Sequence, residues 1–436
     1  MVKSRTETEM TARELLTVWS QRAHRTVDQP ISYLMSKAVA NPHLISLAAG
    51  FVDAETLPVE EVRQLANEIL NDPVRARAAL QYGTTEGLTS LRERIVNRIR
   101  QADKLPLGHP GYSVEQTITS TGSQQLLCII AEILLDPGDF AVVGHPSYLG
   151  FMGPLRTAGA TCVPIPMDSE GMRPDVLGEE LENLARKGSL ERVKLVYLQS
   201  FCQNPTGTTI SDRRRDELMS VIRRCSRKNR IYVVEDSAYR DLLYDGPDIP
   251  SIKSRDLDGE TVCYLGTFSK PFSPGLRTGF GIFPKVLVNR VLQFKGNHDF
   301  GSGNFNQHLL ERAMASGLLD KHIRHLRDVY RLKRDTMLAA MDDYMPETCS
   351  WNRPAGGLYV YLTLPEAIET GPESELFRIA LEKGVLYVPG EFCYAEFGTR
   401  PMRRNEMRLS FGVVAPEQLR EGTKRLADAI LEAGGK

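Results

Sequence analysis

The sequence has no C-x-x-C pair. Its seven cysteines, at 128, 162, 202, 225, 263, 349 and 393, are scattered and odd in number. That spacing argues against a zinc ribbon and for a reducing compartment. Long hydrophobic runs are also missing. The most apolar stretch, Leu126 to Leu135, contains Glu132 and is too short to span a bilayer. The first ten residues, MVKSRTETEM, lack the apolar core of a secretory signal. There is no excess of one charge: 54 Lys and Arg stand against 55 Asp and Glu, a net charge of −1. A chain of that balance is not built to coat nucleic acid or an anionic membrane. No low-complexity linker and no internal repeat interrupts it. What is there is ordinary for a soluble protein: 436 residues, 42% hydrophobic and 25% charged. At about 150 residues per domain this suggests two or three units. Such a length buries a core without disulfide or metal staples. The class left is a cytoplasmic soluble protein, and an enzyme fits it.

Residues 1 to 40 are polar with a weak helical period through Leu15, Leu16, Val18 and Trp19, then Ile31, Leu34 and Met35. From about residue 115 the text alternates short apolar strands with helices. TITST leads into GSQQLLCIIAEILL, FAVVGHP into a loop, and VKLVYLQS into NPTG with a helix from Asp212 to Lys228 after it. IYVVED ends in two acids, and TVCYLGTFSK runs into a Pro-rich loop. This pattern predicts a mostly parallel α/β sheet. Ligands of such sheets bind beyond the carboxyl ends of the strands. The last hundred residues differ. GGLYVYLTLP and EMRLSFGV alternate like half-exposed strands, with a helix between them and another from Pro416 to about Ala433. A smaller α+β domain is expected there, completed by the N-terminal segment. The expected division is 1–60 for an N-terminal arm and part of the small domain, 61–325 for a large domain, and 326–436 for the small one.

The strand ends carry the chemistry. Thr121, Gly122, Ser123 and Gln124 stand where a strand meets a helix N-terminus, a place for an anion or simply for a Ser123 N-cap. Asp236 ends its strand, with Tyr239 three residues on. Ser269, Lys270 and Arg277 lie in a strand-to-loop segment poor in other charge. Taken alone, Lys270 reads as a solvated lysine. Its flanks are nevertheless apolar or hydroxylic, which suits a depressed pKa and imine chemistry. Asn204, in the NPTG turn, offers an amide to a cleft. Together these are a phosphate cup, an amine for an aldehyde, a carboxylate for a pyridine nitrogen and donors for a phenolate oxygen. Pyridoxal 5'-phosphate asks for these contributions. His322 and His325, at i and i+3, have no carboxylate or cysteine pattern beside them. They are expected on a helix surface, and no metal is expected.

With these residues in place, the chain resembles a fold-type I, class I/II pyridoxal-phosphate aminotransferase. It is closest to the kynurenine/2-aminoadipate subgroup. The motifs are YGTTEGLTSLR (82–92), TGSQQ (121–125), HPSY (145–148), NPTG (204–207), EDSAY (235–239), SKPFSPGLRTGF (269–280), GGLYVYL (356–362) and MRLSFG (407–412). Each is weak alone, but all of them in this order are specific. The resemblance implies a large domain with a mostly parallel seven-stranded sheet between helices, plus the smaller α+β domain.

The resemblance also implies roles. Lys270 would bind the cofactor aldehyde as a Schiff base and shuttle the proton. Asp236 would pair with the pyridine nitrogen, and Tyr239 and Asn204 would hold the phenolate oxygen. Ser123, Gln124, Thr267, Ser269 and Arg277 would bind phosphate, and Tyr148 would stack on the ring. Tyr82 would reach the phosphate in the partner subunit, so a homodimer is implied. Arg408 would clamp the substrate α-carboxylate, with Asn204 and Gly50 beside it. The implied reaction moves an amino group from an L-amino acid to a 2-oxo acid by a ping-pong route. A lyase, decarboxylase or oxidase on the same cofactor shares the core motifs. A non-enzymatic regulator on this fold would need a DNA-binding head before it. The pocket segment SLAAGFVDAETLP and Cys202 depart from the relatives, so the amino donor stays open.

Overall fold

The computed structural model describes residues 19–434 apart from 42, 49, 227–228 and 396–397. The expected apolar positions Leu15, Leu16 and Val18 lie outside the described residues. Leu34, within helix Pro30–Ala40, is buried.

An eight-stranded sheet organises most of the molecule. In spatial order its strands are Thr117–Ser120, Gly279–Ile282, Val262–Thr267, Tyr232–Asp236, Val193–Gln199, Phe140–His145, Thr161–Asp168 and Gly171–Met172. The five from Val262–Thr267 to Thr161–Asp168 are mutually parallel. Gly279–Ile282 runs antiparallel to both of its neighbours. Beyond the expected seven strands there is one more, the two-residue antiparallel edge Gly171–Met172. The parallel strands read as unbroken apolar runs because helices cover both faces. Val193–Gln199 shows this, with every residue buried but Lys194.

The helices begin where their sequences provide acceptors. Ser211 accepts from Arg214 N–H at the head of Asp212–Cys225, and Ser374 does the same for Glu375–Glu382. The first of these helices stops at Cys225, short of the expected Lys228. Ser226 ends it: its hydroxyl donates to Ile222 O at 2.8 Å and accepts from Ile231 N–H at 3.3 Å.

A four-stranded antiparallel sheet, Ser350–Trp351, Tyr359–Thr363, Glu406–Ser410 and Val388–Pro389, forms a second centre. Helix Pro416–Ala433 packs there, with the bounds the sequence pattern suggests. The N-terminal segment joins this part. Ile45–Ser46 pairs in parallel with Val385–Leu386, and Ser410 N–H donates to Leu47 O at 2.7 Å. A single helix, Leu318–Tyr344, runs through residue 325 and packs on helix Pro416–Ala433. His322 lies on that helix but is not a surface residue. It is buried edge-on against the Phe272 ring, 5.7 Å between centroids, while His325 is exposed. The apolar contact with Phe272, two residues after Lys270, draws it inward. Among the described residues no group of three His, Cys, Asp or Glu could hold a metal ion. None of the described helices is long and apolar enough to cross a membrane.

Candidate active site

The carboxyl ends of the parallel strands, the Gly50 segment and strand Glu406–Ser410 enclose a cavity of about 730 Å³. It is lined by every expected site residue except Tyr82, which is 91% exposed on the outer surface. The lining thus brings together Gly50, Ser123, Gln124, Tyr148, Asn204, Asp236, Tyr239, Thr267, Ser269, Lys270, Arg277 and Arg408.

Asp236 sits at the floor, 2% exposed. Its Oδ2 accepts from Tyr197 OH at 2.9 Å and Gln199 Nε2 at 3.0 Å, and its Oδ1 from Ala238 N–H at 3.1 Å. Burial raises its carboxyl above the usual carboxylate range, and these three donors only partly offset that. A cation placed against it would reverse the balance. Lys270 stands in the same cavity and donates from Nζ to Gly50 O at 2.6 Å. Burial pushes its amine below the ordinary lysine value. Arg408 and Arg277 push the same way, against the opposing pull of Tyr359.

An anion cradle is built at one end. Gly122 holds φ +75 at the turn into helix Ser123–Leu134, and a Cβ there would come within 2.9 Å of Arg277 Nη2. Gly122 is the N-cap, so Ser123 is the first helical residue rather than the cap, and its hydroxyl faces the cavity. Gly279 lies flush beneath this terminus: a Cβ there would be 2.5 Å from Ser123 N. Thr267 Oγ1 donates to Ser269 Oγ at 3.0 Å. Gln124 is engaged elsewhere, donating to Gly150 O at 2.6 Å. Arg277 is exposed and left-handed, with φ +46. Its guanidinium makes only a 3.4 Å bond to Pro274 O among the described residues. A helix N-terminus, two hydroxyls and a guanidinium without a carboxylate suit a phosphate.

At the other end Arg408, 2% exposed, donates from Nη1 to Asn204 Oδ1 at 3.0 Å and from Nη2 to Ala48 O at 2.7 Å. Its Nε is buried without a partner among the described residues. Its guanidinium lies over the Tyr359 ring, and Tyr359 OH is 3.0 Å from Tyr239 OH. Burial works to raise the Tyr359 hydroxyl. Arg408, Lys270 and the bond with Tyr239 outweigh it and hold the group below its ordinary value. Burial raises the Tyr239 hydroxyl, the neighbouring Tyr359 adds to that, and the opposing pull of Arg408 is smaller.

Sequence reasoning did not single out Tyr197, Gln199 or Tyr359. A polar residue closing an apolar strand is a signal for Gln199. Tyr197 shares its face two residues earlier, and pairing places Gln199 beside Asp236.

The residues from 42 to 426 match the family model for aminotransferase class I and II. The chain belongs to that family. Aromatic-amino-acid aminotransferase 1 of Thermococcus litoralis is 37% identical over 396 residues, which cover 91% of this chain and 90% of that one. The 2-aminoadipate transaminase of Thermus thermophilus is 32% identical, covering 90% and 92%. The crystal structure of Pyrococcus horikoshii kynurenine aminotransferase, described as a complex with PMP, superposes with a TM-score of 0.87. It is 33% identical and covers 97% of this chain and 99% of that one. The enzyme is therefore a fold-type I aminotransferase, and its cofactor is pyridoxal phosphate. The cavity suits that group: an anion cradle, a buried carboxylate and a primary amine face one space.

Proposed function

We propose that the enzyme moves an amino group from an L-amino acid to a 2-oxo acid by a ping-pong route, with Lys270 as acid and base and Arg408 as carboxylate clamp. The observation that carries this reading is the one cavity that Lys270, Asp236 and Arg408 line together.

Pyridoxal phosphate, when bound, supplies an aldehyde for amine exchange and a sink for the electrons left at Cα. Ser123, Thr267, Ser269 and Arg277 would hold its phosphate, with Gln124 at the rim. Asp236 would hold its pyridine nitrogen protonated. Tyr148 would cover its ring. Asn204 Oδ1 is taken by Arg408, so its Nδ2 is the atom left to donate to the phenolate oxygen, together with Tyr239 OH. Lys270, with a depressed pKa, is available as a free amine to take a proton from Cα of the substrate and return it. Arg408 would fix the α-carboxylate and with it the bond presented for cleavage, beside Asn204 and Gly50. Proton loss is then favoured over loss of CO2.

We infer a cytoplasmic homodimer in which Tyr82 reaches the partner subunit's cofactor. Its exposure and the seven free thiols support this. We also keep the division at 1–60, 61–325 and 326–436 as a functional one, cofactor on the large part and substrate clamp on the small. The test is a panel of L-amino acids with 2-oxoglutarate and pyruvate, followed by mass spectrometry. A new amino acid and a new 2-oxo acid in equal amounts are expected. CO2, ammonia or peroxide as the main product would replace this reading with a decarboxylase, lyase or oxidase.

A further inference from the structure

Helix Ser123–Leu134 opens on Gly122, so no side-chain cap closes its first turn. Its leading amides are thereby left free for an anion, but the turn also lacks the bond that ordinarily fixes a helix start. The side chain of Gln125, the third helical residue, supplies what the cap does not. Its Oε1 accepts from Thr121 N–H at 2.9 Å, and its Nε2 donates to Asp299 Oδ2 at 2.8 Å. The first bond closes a ring over residues 121–125 and spans Gly122, whose φ of +75 makes the bend. It is half of a capping box, displaced by one residue.

The second bond ties the turn to a distant part of the chain. Asp299 is the last residue of helix Lys285–Asp299. Its Oδ1 accepts from Lys295 Nζ at 3.0 Å, and its Oδ2 also accepts from Ser302 Oγ at 3.3 Å and Thr121 Oγ1 at 3.4 Å. The Lys295 side chain is wholly buried, so the ion pair adds no net charge beside the anion cradle. Burial works to raise the Asp299 carboxyl, but Gln125, Lys295 and Ser302 outweigh it and hold the group below its ordinary value. Asp299 is therefore an ionised acceptor at neutral pH. Thr121, Gln125, Lys295 and Asp299 all stand outside the lining of the cavity. What they do for the cofactor they do through the backbone of the turn.

We propose that Gln125 is a positioning residue for the cofactor phosphate, holding through Thr121 and Asp299 the turn that aims the first amides of the helix at the anion. The proposal rests on the reading of this helix start as the phosphate site, and it adds a residue that does not touch the group. The side chain here must accept from Thr121 and donate to Asp299 at once, and a terminal amide does both. Methionine has the reach and neither bond. Asparagine has the amide but is one methylene short of the span. Without the tether Gly122 is free to leave its left-handed bend, and the amides beyond it lose their common direction. The ring and aldehyde of the cofactor depend on Asp236 and Lys270, which none of these bonds reaches.

The experiment compares full-length wild type with Gln125→Met and Gln125→Asn. It reads the Kd of pyridoxal phosphate and of pyridoxal, the same aldehyde without phosphate, from the visible absorption of the lysine-bound form. Inorganic phosphate is titrated as a competitor in parallel. The Kd of pyridoxal phosphate is expected to rise by about tenfold in Gln125→Met, with that of pyridoxal unchanged and phosphate a weaker competitor. Gln125→Asn should move in the same direction. Gln125 is half-buried, and the shorter amide tests the idea even where methionine does not fold. A role in stability alone would weaken both aldehydes alike, and that result overturns the proposal. So does a pyridoxal phosphate Kd that stays within about twofold of wild type in the folded variants. Arg277→Ala separates this from the cradle itself. If that variant leaves the preference for pyridoxal phosphate over pyridoxal intact while Gln125→Met removes it, the assignment of Arg277 falls and the tether stands.

Discussion

The Arg408 guanidinium lies 4.2 Å from the centroid of the Tyr359 ring while it donates to Asn204 Oδ1 at 3.0 Å. Face and fork are both fixed, so the group is oriented before any substrate arrives. A lysine ammonium has neither the plane nor the second donor row. Both Arg408→Lys and Arg408→Ala should lose about 2–5 kcal/mol of transition-state binding, roughly 30- to 5,000-fold in kcat/KM. Because the clamp also sets the bond angle at Cα, kcat should fall with it. Steady-state kinetics with the best donor, with CO2 followed alongside, checks this. Unchanged kinetics would remove Arg408 from the site.

Tyr359 offers a second test. Its hydroxyl is the partner of Tyr239 OH at 3.0 Å, and both side chains are buried. Tyr359→Phe should leave Tyr239 unpaired and lower the stability of the cofactor-free protein by about 1–3 kcal/mol. Denaturant unfolding measures this, and an unfolding midpoint equal to wild type would contradict it.

Lys270→Ala should give a protein that no longer carries the visible absorption of lysine-bound cofactor. Borohydride reduction of the wild type followed by peptide mapping should place the label on Lys270. A label on another lysine sinks the assignment.

Asp236 predicts a pH dependence. Its folded carboxyl is raised, so the native chain still holds a proton where the unfolded chain has lost it. Its contribution to stability is full below the unfolded value of about 3.9 and falls as pH rises through the folded value. In Asp236→Asn that titration is gone. The stability of cofactor-free wild type minus that of the variant should therefore shrink as the pH rises above about 4. A difference that is flat or grows with pH refutes it. With cofactor the same variant should lose most of its turnover, because a neutral pyridine is a poor sink.

Tyr82→Phe should weaken cofactor binding only if its hydroxyl reaches a partner subunit. Sedimentation at assay concentration should find a dimer. A fully active monomer would rule out the shared site.

Much of this was legible in the sequence because α/β sheets put their chemistry at strand ends, and strand ends are visible as breaks in apolar runs. Asp236, Lys270 and Asn204 stand at such breaks. Arg408 was legible only through the family likeness, since an arginine in an alternating strand looks exposed. Tyr359 and Tyr197 were hidden for a related reason: inside an apolar strand a tyrosine reads as filling, and only pairing shows what its hydroxyl meets. His322 was misplaced because periodicity on a 27-residue helix does not say which neighbour covers which face. Glu132 looked like a stray acid that merely interrupted an apolar helix. Its partners, Arg22 and His298, are 110 and 166 positions away (132 − 22 and 298 − 132).

The flush contact between Gly279 and the Ser123 amide has a consequence for how the gene can vary. Any side chain at 279 would have to displace the backbone of the helix that frames the anion cradle, and backbone cannot rotate aside as a side chain can. The position is closed to every substitution, however small. In a library of random variants selected for growth on this activity, codon 279 should be as invariant as that of Lys270, though it contributes no functional group at all.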